Sequence, residues 1–68
     1  MGYLMKEETT KLIKDKYQAK YFCKEVGITS TYMSMIMSRK YHCSKPVAYC
    51  LTKLIDNNAE LEKFFDKV

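Results

Sequence analysis

In 68 residues the chain has two glycines, Gly2 and Gly27, and one proline, Pro46. Glycine and proline are the residues that most readily end a helix or turn a chain, so their scarcity confines the fold to regular elements joined by short turns. Gly27, the one glycine away from the termini, is then the natural punctuation point. Phe22, Cys23 and Val26 stand before it at i, i+1, i+4, the spacing of one helical face. They predict a helix over 18–26 that Gly27 stops by taking a positive φ. Two residues later Thr29 has the side chain to cap a new helix, and Met33, Ile36 and Met37 recur at helical spacing. A helix over 30–38 follows, with Met33 and Met37 inward and Met35 outward.

The same reading extends to both sides. Met5, Thr9, Leu12 and Ile13 share one face of a first helix over 6–16, and residues 39–44 form a basic, aromatic loop. Ser44 is placed to cap a helix whose first turn tolerates Pro46, because the N–H that proline lacks has no helical partner there. Val47, Cys50, Leu51, Leu54 and Ile55 then give an i, i+3, i+4, i+7, i+8 stripe. Asn57 with Glu60 three residues on predicts the start of a last helix carrying Leu61, Phe64, Phe65 and Val68 on one face. The expected fold class is all-α: a single domain over 1–68, a compact bundle of about five short helices.

With 47% hydrophobic and 29% charged residues the chain has the composition of a folded domain. A domain of this length buries only about 60% of its unfolded surface, which leaves little room for an enclosed catalytic cleft. No apolar run approaches the roughly 20 residues that span a bilayer, and Met1 to Lys6 lacks the long apolar core of a secretion signal, so a cytoplasmic location is expected. Three cysteines, Cys23, Cys43 and Cys50, are an odd number for a disulfide framework and are expected to be reduced and mostly buried. With His42 they lack the paired short spacing of a zinc site, and no nucleophile pattern or phosphate-cradling glycine loop accompanies His42. Neither a metal, a cofactor, a small-molecule substrate nor catalysis is expected.

Charge is unevenly divided. Residues 1–43 hold eight basic side chains (Lys6, Lys11, Lys14, Lys16, Lys20, Lys24, Arg39, Lys40) against four acidic ones (Glu7, Glu8, Asp15, Glu25), and residues 44–68 hold four of each. The whole net charge of +4 therefore lies in the first two thirds, where an anionic partner would dock.

Residues 18–38 read as two helices crossing steeply through a short turn, a helix-turn-helix, which needs a small residue where the backbones approach. Cys23, four before Gly27, is that residue, and Val26, Ile28, Met33 and Ile36 supply the apolar groups between the helices. The stretch 17–55 resembles the phage repressor and Cro family of helix-turn-helix domains. Gln18 (one place early), Cys23, Gly27, Ile28 and Thr29 match the family's glutamine, small residue, glycine, aliphatic residue and hydroxyl cap. Ser30-Thr31-Tyr32-Met33-Ser34-Met35-Ile36 is similar to its Ser-Tyr-Leu-Ser-x-Ile string, and Ser44-Lys45-Pro46 to its continuation.

The resemblance implies a cytoplasmic duplex-DNA-binding transcriptional regulator with its recognition helix in the major groove. Ser30, Thr31, Ser34 and Met35 would meet base edges; Gln18, Lys20, Thr29, Tyr32, Ser38, Arg39, Lys40 and Tyr41 would meet phosphates. Where the family often offers Gln, Arg or Asn to bases, this chain offers hydroxyls and a methionine, which implies modest sequence specificity helped by DNA shape. A homodimer on DNA is expected, and Leu61, Phe64, Phe65 and Val68 either form its interface or complete the monomer's own core. Two alternatives share the scaffold: a protein-interaction module such as an inhibitor or antitoxin, and an excisionase-like architectural factor.

Overall fold

A small antiparallel sheet ties the two ends of the chain together. The computed structural model describes residues 2–68 as β1 (Tyr3–Met5), α1 (Glu7–Lys16), α2 (Ala19–Val26), α3 (Ser30–Met37), α4 (Lys45–Ile55), α5 (Leu61–Phe64) and β2 (Phe65–Lys67). The fold is mostly helical, as the periodicity predicts, but the all-α expectation needs correcting. Tyr3 pairs with Lys67, Leu4 with Asp66 and Met5 with Phe65. Met5, counted on the apolar face of the predicted first helix, is therefore strand, and the fifth helix stops after one turn, where Phe65 continues as strand. Pairing across almost the whole chain satisfies backbone groups that short helices at the ends would leave to water. Gly2 sits so close to the 42–43 segment that a Cβ on it would lie 2.8 Å from Cβ of His42.

The helix boundaries follow local chemistry. Gly27 adopts φ 83° and its N–H bonds the carbonyl of Cys23, while Thr29 accepts a hydrogen bond from the Tyr32 N–H at 3.0 Å. Nothing lies within 4 Å of a Cβ built at Gly27, so the glycine serves backbone conformation alone. Pro46 sits in the first turn of α4 as expected, but Ser44, although it holds the N-cap position, makes no side-chain capping hydrogen bond. Asn57 does not open α5; instead the Asp56 carboxylate accepts from the Asn58 N–H at 3.0 Å, closing a turn before the helix.

Met5, Ile13, Phe22, Met33, Ile36, Leu51 and Phe65 form the centre of the core. Two buried threonines fasten α1 to it: the Thr9 hydroxyl donates to the Phe64 carbonyl and the Thr10 hydroxyl to that of Met37, each at 2.9 Å. On α4 the inward face is Ala48, Leu51 and Thr52, with Val47, Leu54 and Ile55 half-buried. Cys50, expected in the stripe, is exposed because the small Ala48 and the self-bonded Thr52 take the seam. Leu61, Phe64 and Phe65, expected to meet a second copy or to complete the core, are 7, 7 and 1% exposed within their own chain. Val68 alone of that set is exposed. Leu61 and Phe64 of α5 and Phe65 of β2 thus complete the monomer's core, as a short chain with little surface to bury requires. Among the described residues no helix is long and apolar enough to cross a membrane.

Candidate nucleic-acid interface

α3 is built with two unlike faces. Met33, Ile36 and Met37 point inward, and Ser30, Thr31, Ser34 and Met35 are exposed. The outward four, with Ser38 and Lys40, border one open hollow. A second cleft, between α1, α2 and α3, is bordered by Lys14, Ala19, Lys20, Cys23, Ser30, Ser34, Met37 and Ser38. Ser30, Ser34 and Ser38 belong to both, so they form the ridge between a Lys40 side and a Lys14/Lys20 side. Lys14 is a residue that sequence reasoning passed over. Its signal was only a basic side chain near the end of α1, where it also complements the helix dipole.

The electrostatics of this face are one-sided. α3 carries no charged side chain, and the first turn of α2 contains no acid, so the partial positive charge of both helix starts is uncompensated. The ion pairs among the described residues lie elsewhere, Lys6 with Asp66, Lys11 with Glu7 and Lys63 with Asp56. Lys14, Lys20 and Lys40 pair with no carboxylate among the described residues. An eight-residue helix spans about 12 Å, close to the width of a major groove.

No family model, characterised protein or solved structure matches this chain.

The remaining expected phosphate ligands differ in how free they are. Gln18 is exposed at the N-cap of α2. The Thr29 oxygen is occupied by the Tyr32 N–H, which leaves its own O–H to donate. The Ser38 hydroxyl donates to the Met35 carbonyl at 2.8 Å and so has no proton left to offer. The half-buried Tyr32 stacks edge-on against Tyr41 at 5.3 Å between ring centroids. Burial, then the neighbouring Cys43 and Tyr41, push the Tyr32 phenol above its ordinary value, so the hydroxyl stays protonated further into the alkaline range.

Arg39 is the exception. Its Nε donates to the Met5 carbonyl at 3.0 Å, and it borders a hollow shared with Lys6, Glu7, Glu8, Lys11 and Asp66. It is not among the residues bordering the hollow on α3, whereas its neighbour Lys40 is. Among the described residues no group of three or more His, Cys, Asp or Glu side chains is placed to hold a metal ion.

Proposed function

We propose that this chain is a duplex-DNA-binding transcriptional regulator of phage repressor and Cro type, in which α2 and α3 act as a helix-turn-helix and α3 lies in the major groove. The observation that carries the reading is the exposed, uncharged face of Ser30, Thr31, Ser34 and Met35, with unpaired lysines on both of its sides. A groove floor offers donors, acceptors and thymine methyls, and its walls are two rows of phosphates, so a neutral helix between two cationic rims is complementary to it. Lys20 and Lys14 face one wall and Lys40 the other, while Gln18, Thr29 and Tyr32 add neutral hydrogen bonds. Short hydroxyls read bases only at close approach. Most of the affinity then comes from phosphates, and discrimination between sites is modest.

Affinity for a mixed-sequence DNA duplex, measured as salt is raised, tests this directly. Three lysine contacts make the slope of log affinity against log salt about −2.7. A protein partner on the same face would give a shallow slope, since hydroxyls and Met35 displace no counterions.

A further inference from the structure

Arg39 is the one non-glycine residue among those described with a positive φ, 63°, a conformation that L side chains adopt at some cost. Its guanidinium meets a backbone carbonyl that the sheet leaves over. Gly2 and Val68 exchange both N–H to carbonyl bonds, at 3.2 and 2.9 Å, and Lys6 N–H bonds the Phe64 carbonyl. The alternation of an antiparallel ladder then turns the backbone groups of Tyr3 and Met5 away from β2, toward the other edge of β1. On that edge Tyr3 exchanges bonds with Cys43, at 2.8 and 2.9 Å, and Met5 meets Nε of Arg39. Lys40, Tyr41 and His42 are therefore held between two anchors on one strand, and the Tyr41 ring is braced against Tyr32 of α3.

We propose that Arg39 is a positioning residue and not a phosphate ligand: by satisfying the free edge of β1 it fixes the 39–43 segment so that Lys40 stands beside the α3 face. The proposal rests on the DNA-binding reading above. It explains why an arginine occupies a position whose backbone would suit glycine. A glycine would relax φ but leave the Met5 carbonyl unpartnered and the segment hinged at one end.

The test compares binding of the full chain to a mixed-sequence DNA duplex over a range of salt. Lysine has a methylene where arginine has Nε, so Arg39→Lys keeps the charge and removes the N–H that bonds the Met5 carbonyl. Lys40→Gln should lower the salt slope by about 0.9, the value of one phosphate contact. Arg39→Lys and Arg39→Gly should each lower it by the same amount despite their different charge. On the Lys40→Gln background neither should lower it further, the signature of two residues acting as a unit. In the free protein, NMR relaxation should show the Lys40 and Tyr41 amides loosened by Arg39→Lys, with those of Met33 and Ile36 unchanged.

An Arg39→Lys variant that keeps the parent slope, with Arg39→Gly lowering it even when Lys40 is already replaced, would make Arg39 a phosphate ligand and overturn the proposal. Loss of the whole fold in both variants would make it a stability residue and overturn it equally. A parent chain without salt-dependent duplex binding refutes the DNA reading itself, and that failure is visible before any variant is compared.

Discussion

Phe65→Ala separates a core residue from an interface residue. Phe65 is 1% exposed and opens β2 opposite Met5, itself fully buried. Truncating a buried phenylalanine costs about 3–5 kcal/mol in transfer and cavity terms. A chain of 68 residues holds roughly 3–10 kcal/mol in total at 0.05–0.15 kcal/mol per residue. The substitution therefore removes a large part of the stability or all of it. At about 4–8 °C per kcal/mol for a domain of this size, the melting temperature should fall by at least about 12 °C. Urea unfolding followed by circular dichroism at two protein concentrations is the assay. The parent should show a midpoint independent of concentration, and Phe65→Ala should be largely unfolded or have a strongly lowered midpoint. A variant that melts like the parent while its sedimenting mass falls by half would refute the assignment of Phe65 to the monomer core.

The crossing of α2 and α3 predicts that Cys23→Ala is mild, whereas Cys23→Leu, adding bulk at a buried site 3.7 Å from the Thr29 carbonyl, loses about 1–3 kcal/mol; thermal melts in the reverse order would misplace the crossing. Thr10→Val strands the Met37 carbonyl at the end of α3 and should cost about 1–3 kcal/mol, while Thr52→Val should be near neutral, because Ala48 still receives its helical N–H; equal urea midpoints would contradict this. A thiol reagent should label Cys50 at once and reach Cys23 and Cys43 only on unfolding. Burial pushes the Cys43 thiol above its ordinary value, so the fold favours the neutral thiol. That contribution is whole below the ordinary thiol range and is lost as pH rises through the raised folded value, and the raised Tyr32 phenol acts in the same direction. Urea midpoints should hold through neutral pH and fall in the alkaline range; a rise there would contradict the assignment.

Local chemistry made the helices legible. Gly27 before Thr29, and Pro46 after Ser44, mark boundaries through φ and missing or capped N–H groups, which need no knowledge of distant residues. The inward and outward sides of α3 were likewise readable, because alternating methionines at 33, 35 and 37 cannot all face one way on a helix. The sheet was not legible. Three-residue strands are too short to show a period of two, and Tyr3 finds its partner at Lys67, a pairing no local pattern encodes. The same omission hides what two residues meet: Phe65 stands opposite Met5 in the sheet, and the Arg39 Nε bonds the Met5 carbonyl on the other edge of that strand. Lys14 was missed for a related reason, since only the packing of α1 against α2 and α3 brings it beside Lys20.

The central claim, that the outward face of α3 enters a DNA groove, is tested most directly by Ser34→Glu. Ser34 is exposed and lies on the ridge shared by both clefts, so a carboxylate there leaves the core untouched while meeting the phosphate walls and base edges with a like charge. Duplex affinity of parent and variant, measured together with their melting temperatures, gives the answer. An unchanged melt is expected, with binding reduced to near background at moderate salt. Equal binding by the two proteins, or a parent whose duplex affinity does not fall with salt, would contradict it.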